Sequence, residues 1–103
     1  MSDLMPTNIE AEEAILGGIL IDPEAISRIA ELLRPEFFAI SAHQVIYRSA
    51  LTLFFQGQPT DLMTVTTWLA DRNQLDQIGG QTKLAQLVDR TVSAVNIDQY
   101  AIL

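Results

Sequence analysis

The side chains able to do chemistry in this 103-residue chain are few, and their spacing does not gather them. His43 is the one histidine and cysteine is absent, so a metal centre would need several partners that no HExxH or comparable spacing supplies. His43 therefore reads as a first-turn helix residue. Among the acids, Glu12 and Glu13 are adjacent and Asp71 and Asp76 flank a helix end, and neither arrangement suggests two carboxylates converging on one pocket. Gly79-Gly80-Gln81-Thr82-Lys83 has the glycine content of a phosphate loop, and Lys83 is the only lysine. It lacks the G-x-x-x-x-G-K-S/T spacing and a preceding strand, which together would aim backbone N–H groups and the lysine at phosphates; a helix cap at Gly80 is expected instead. Serines and threonines stand mostly at capping positions, with no nucleophile elbow. No catalytic, cofactor-binding or metal-ligating set is predicted.

Composition bounds the rest. A chain of this length with 49% hydrophobic residues and seven aromatics can bury one modest core, so one domain is expected. The lack of cysteine fits a reducing, cytosolic compartment. No apolar run approaches the roughly 18 to 20 residues of a membrane span, and Met1 to Pro6 lacks the basic and apolar regions of a signal peptide. The net charge is −7, and residues 1–31 hold seven acids against one base, Arg28. Phosphodiester backbones would be repelled there, so strong direct nucleic-acid binding is not expected, whereas a basic protein partner is conceivable.

The elements that must position these side chains are helical. Thr7 to Glu10 has the form of a capping box, and Glu10, Glu12 and Glu13 fill a first turn where the helix dipole favours negative charge. From Asn8 to Ile21, Ile9, Leu16 and Leu20 form an apolar stripe with Ile15 and Ile19 beside it. Glu12 falls on the apolar side between Leu16 and Ile19. It is expected to be a partly solvated first-turn residue, the alternative being a paired interior carboxylate. Gly17 and Gly18 lie off the stripe, where each costs about 0.8 to 1 kcal/mol relative to Ala. A second helix approaching closely on the glycine side would offset that cost and place this helix at the centre of the domain.

Asp22-Pro23-Glu24 starts a second helix through Ile26, Ile29, Ala30 and Leu33, which Arg34-Pro35 ends. Phe37 and Phe38 are expected to plug the core. Ser41 to Gln44 forms another capping box, opening a third helix through Ile46, Tyr47, Ala50, Leu53 and Phe54 that Gly57 terminates. Asp61 can cap a fourth helix in which Val65, Trp68 and Leu69 make a stripe that Leu75 can extend, Trp68 anchoring the core. After the turn at 76–80, Leu84, Leu87 and Val88 mark a short fifth helix, and Thr91 to Val95 breaks the pattern. Asn96-Ile97-Asp98-Gln99 reads as a fresh start that the chain end cuts off. The expected fold is all-α, a compact orthogonal bundle of about five to six short helices with no sheet. Its core is expected at about 8–95, with 96–103 the truncated start of a following helix.

Taken in order, Pro6-x-Asn8-x-Glu10-Ala11-Glu12-x-Ala14-x-Leu16-Gly17-Gly18, Asp22, Phe37-Phe38, His43-x-x-Ile46-Tyr47, Gly57-x-Pro59-x-Asp61, Ile78-Gly79-Gly80, Leu84-x-x-Leu87 and Ser93-Ala94-x-Asn96-Ile97-x-x-Tyr100-Ala101 resemble the N-terminal domain of bacterial replicative DNA helicases of the DnaB type. The resemblance spans nearly the whole chain. Lys83 stands where that family commonly has an aromatic residue and Val92 where it commonly has proline, which touches only contacts around the fifth helix and the last turn.

The resemblance implies a helical head followed in the parent protein by a helical hairpin, a linker and a RecA-like motor that unwinds DNA at the replication fork. ATP and Mg would belong to that motor and not to this chain. It implies pairing of heads as dimers, three dimers forming a collar on a hexamer, and docking of the primase C-terminal domain. Ile97, Tyr100, Ile102 and Leu103 are the expected interface residues, because apolar side chains on a severed helix lack their natural cover. A free-standing helical regulator or helix-turn-helix DNA binder is the alternative. Charge weighs against it, since no helix carries more than two basic residues.

Overall fold

A computed structural model describes residues 9–102, with side chains through Thr91. Five α-helices follow one another: α1 (Ile9–Ile21), α2 (Ala25–Ile29), α3 (Ser41–Phe55), α4 (Leu62–Asp71) and α5 (Gly80–Ile102). Short 3₁₀ turns at Pro35–Phe37 and Asp76–Ile78 lead into α3 and α5. No strand occurs among the described residues, as the helical periodicity predicts. The first expected capping box, at Thr7 to Glu10, begins outside them.

One core joins all five helices. Leu16, Ile19 and Leu20 of α1 pack with Ile26, Phe38, Ile46, Tyr47, Leu53, Val65, Leu69, Ile78, Leu84 and Leu87. Ile9, expected on the same stripe, is half exposed at the start of α1. Of the adjacent phenylalanines, Phe38 is buried against Tyr47, with ring centroids 5.1 Å apart, while Phe37 is only half-buried. Trp68 is likewise half-buried and packs on the edge of the core rather than at its centre.

Helix ends follow local chemistry in some places and override it in others. At the end of α3, Gly57 adopts φ 77°; its N–H reaches the Phe54 carbonyl at 3.0 Å and that of Gln58 reaches Leu53 at 2.9 Å, the paired bonds of a Schellman stop. Asn73 makes the same stop after α4 with φ 58°, so α4 ends before Leu75 can extend it. Arg34 is extended, as a residue before proline must be. The second helix is shorter than its periodicity suggests: α2 closes at Ile29, and turns carry the chain through Leu33.

Two expectations are corrected. Ser41 does not cap α3; Ile40 occupies the capping position without a side-chain bond, and the Gln44 amide donates instead to the Phe38 carbonyl at 2.7 Å. The break expected at Thr91 to Val95, with a new helix at Asn96, is also absent, because α5 is one helix of 23 residues. Thr91 shows why a β-branched polar residue does not interrupt it: its hydroxyl donates to the Leu87 carbonyl one turn back, at 2.9 Å. No glycine or proline follows Gly80 to stop the helix.

The glycine pair in α1 divides in two. A Cβ on Gly17 would collide with the Thr91 side chain and come within 2.5 Å of the Leu87 carbonyl oxygen, so its absence is what lets α1 and α5 meet. Their contact is the broadest between any two elements. At Gly18 no atom of the described residues lies within 4 Å of the position a Cβ would take. The close approach expected on the glycine side is therefore made at Gly17 alone. Gly17→Ala is expected to destabilise the domain by about 1–3 kcal/mol through overpacking against backbone, and Gly18→Ala to stabilise it by about 0.5–1 kcal/mol. Thermal melts of the two variants check this; equal effects would contradict it.

Candidate functional site

Glu12 and Glu13 are neighbours in sequence, so they stand about 100° apart around α1 and reach different partners. Both are buried, Glu12 at 1% exposure and Glu13 at 8%. Glu12 points toward the start of α3. Its Oε2 accepts the Ala39 N–H at 2.7 Å; its Oε1 accepts the Ile40 N–H at 3.4 Å and lies 2.8 Å from His43 Nδ1. With two backbone donors already on the carboxylate, the ring nitrogen completes the set as an N–H donor. The negative charge also lies where the α3 dipole favours it.

A buried glutamate against a histidine has the look of a general-base pair; Glu12 is not partly solvated as expected but takes the alternative of a paired interior carboxylate, while His43 stands in the first turn of α3 as expected. Burial rules out that chemistry in this state. His43 is fully buried, edge-on to the Phe38 ring at 6.4 Å, and its Nε2 has no hydrogen-bond partner among the described residues. A base must come within about 2.6–3.2 Å of the proton it takes, and no substrate reaches this one. The pair works as a fastening between α1 and α3.

Glu13 faces α5. Arg90 Nη1 donates to its Oε1 at 2.6 Å, and Lys83 Nζ lies 3.7 Å from its Oε2. Burial by itself raises the Glu13 pKa. The Arg90 hydrogen bond and charge, aided by Lys83 and His43, outweigh that and hold the carboxyl below the ordinary range. Lys83 is thus committed to a carboxylate, and the glycine-rich stretch before it follows a 3₁₀ turn instead of a strand. It is a helix start, as its spacing predicts. Asp71 and Asp76 are both exposed, and no group of three metal-ligating side chains occurs among the described residues.

Sequence reasoning missed a third tie. Pro23 has no N–H to give the Ile19 carbonyl, one turn earlier in α1. The buried Thr60 hydroxyl, 41 residues away, donates to that carbonyl at 3.1 Å. A signal for the orphan existed in the proline, but none for its partner. Tyr47 makes a similar bond, 2.8 Å to the Leu33 carbonyl, and burial pushes its hydroxyl up to about 12. Of the expected interface residues, the side chains of Ile97, Tyr100 and Ile102 lie outside the described ones, as does Leu103 altogether.

Residues 4–103 match the family described as the DnaB-like helicase N-terminal domain. The replicative DNA helicase DnaB of a Nostoc species is 66% identical over 98 residues, covering 95% of this chain and 11% of that protein. The corresponding helicase of Geobacillus stearothermophilus is 44% identical over 93% of the chain and 21% of that protein. The crystal structure of the N-terminal domain of DnaB helicase from Mycobacterium tuberculosis superposes with a TM-score of 0.77 at 39% identity, covering 82% of this chain and 58% of that one. The chain thus spans a small part of the curated relatives it matches.

The depressed Glu13 carboxyl sets a direction for acid sensitivity. A group whose pKa is lowered on folding stabilises the fold above its unfolded value, near 4.3, and that stability is lost as pH falls through the folded value. Arg90→Ala should therefore cost up to about 1 kcal/mol at pH 7, the size of a largely exposed pair. The difference from the unsubstituted protein should close as pH drops below about 4. Denaturant melts across pH test it, and a gap that does not depend on pH would contradict the assignment.

Proposed function

We propose, from the premise that this chain belongs to the DnaB-like helicase N-terminal domain family, that it is a non-catalytic assembly and docking module of a hexameric replicative DNA helicase. The observation that carries the reading is the family match along residues 4–103, together with relatives whose names are those of replicative helicases. In this role the domain pairs with a sister copy, contributes to a collar on the ring and receives the primase C-terminal domain. Unwinding, with its ATP and Mg, belongs to a motor domain beyond this chain. The place of action is the replication fork in the bacterial cytoplasm.

The physical support is consistent with a part that presents surfaces and does no chemistry. The carboxylate and histidine that could act as acid and base are enclosed, and three side-chain ties hold α1 to its neighbours. A head fastened in this way keeps its outer faces in fixed relation, which is what docking requires. Charge weighs against the alternative of a DNA-reading helix: α3 carries one basic residue, Arg48, and both basic side chains in the described part of α5 are drawn to Glu13. Ile97, Tyr100, Ile102 and Leu103 remain the proposed contact residues.

The test uses the full-length helicase. Protein containing this domain is expected to form hexamers and to retain the primase C-terminal domain on size-exclusion chromatography. Deleting the domain should abolish retention and leave ATP hydrolysis in place, and Ile97→Asp with Tyr100→Asp should weaken self-association. Undiminished primase retention by the deleted protein would overturn the docking role.

A further inference from the structure

The geometry points to a groove between α3 and α4 as a docking site for an acidic, amphipathic protein segment. The domain has six basic residues against thirteen acidic ones. Arg28 pairs with Asp22, and Lys83 and Arg90 with Glu13. Arg34, Arg48 and Arg72 have no carboxylate partner among the described residues, and two of these three guanidinium groups share one groove. In an acidic domain, unpaired cations brought together from two elements form a local site of opposite sign.

The groove has a volume of about 420 Å³ and is lined by Arg48 and Val45 of α3, Trp68 of α4 and Arg72 and Gln74 just after it. Arg72 lies over the Trp68 ring, with its guanidinium carbon 3.2 Å from the ring centroid. Stacking uses the flat face of the guanidinium and leaves its in-plane N–H groups free to hold a carboxylate. The indole also restrains the charge, so less side-chain freedom is lost when a ligand binds. Asp71 lines a neighbouring groove and not this one, so the acids of a bound segment belong on the side of Arg48 and Arg72, away from Asp71.

That neighbouring groove, about 380 Å³, shares Trp68 and adds Met63, 75% exposed, among the polar side chains of Gln58, Thr64, Thr67 and Asp71. The cationic groove and the exposed Met63 thus lie on either side of a single aromatic ring. A segment that fits both must carry acids along one edge and apolar side chains along the other. The backbone of a nucleic acid offers charge without the apolar edge, and the overall charge of −7 opposes it. The inference does not rest on the helicase reading, because it uses only the geometry of this surface.

Trp68 is the only tryptophan, so its fluorescence reports on this groove directly. The probe is a capped helical peptide of about 16 residues with glutamates on one face and leucines on the other, at helical spacing. Titration is expected to shift Trp68 emission saturably, and Arg48→Ala with Arg72→Ala to weaken binding about ten-fold, the scale of two exposed charge pairs. The same peptide with glutamine for glutamate should fail to bind, and added salt should weaken the complex. Circular dichroism confirms that the double variant is folded. No emission change up to millimolar peptide, equal binding of the glutamine peptide, or tighter binding of single-stranded oligo-dT would each overturn the proposal.

Discussion

Everything in this domain is arranged around a buried carboxylate that is never left alone. Taking a charged group out of water costs several kcal/mol unless its lone pairs are met, and Glu12 meets that demand with donors drawn from outside its own helix. Ala39 and Ile40 supply backbone N–H groups, and His43 supplies its ring. These donors can converge only when α1 lies against the start of α3. The charge therefore specifies a relative position of two helices, which apolar packing by itself does not.

The two sides of α1 solve different problems. Toward α3 the fastening is polar and enclosed, whereas toward α5 it combines shape with charge at the rim. Gly17 removes the Cβ that would meet the Leu87 carbonyl, and Glu13 reaches Arg90 and Lys83 across the same contact. Thr60 closes the far end by satisfying the carbonyl that Pro23 leaves unpaired. These ties come from separate parts of the chain, so α1 is held at several points along its length. A helix restrained like this gives little on binding, and the outer faces of α3 and α4 keep their geometry.

Where local signals were strong, they could be read without coordinates. The αL stop at Gly57, the extended residue before Pro35 and the stripes of α3 and α4 all rest on chemistry within a few residues. What failed depends on distance along the chain. Glu12 sat visibly on the apolar face of its helix, yet solvated and paired carboxylates look alike until the donors 27 to 31 residues away are placed. His43 stands in the first turn of α3 as expected, and only its contact with Glu12 was hidden by that distance. The capping role expected of Ser41 gave way because α3 opens one residue earlier, with the Ile40 carbonyl accepting the Gln44 N–H that a Ser41 cap would have held. In α5 the reading of a break relied on an interrupted apolar pattern and a capping signal at Asn96, which a long helix tolerates when a threonine can bond to its own turn. The two glycines were correctly marked as special, but only the position of α5 tells which one matters.

The sharpest measurement is amide hydrogen exchange at Ala39 and Ile40 with and without Glu12→Gln. Both residues precede α3, and neither would be protected by helix hydrogen bonds of its own. If the Glu12 carboxylate holds these amides, they exchange in the unsubstituted protein as slowly as the core of α3, and at least ten-fold faster in the variant, consistent with the loss of about 1–3 kcal/mol for a buried donor whose acceptor is weakened. Rapid exchange at Ala39 in the unsubstituted protein, or rates unchanged by Glu12→Gln, would contradict the account.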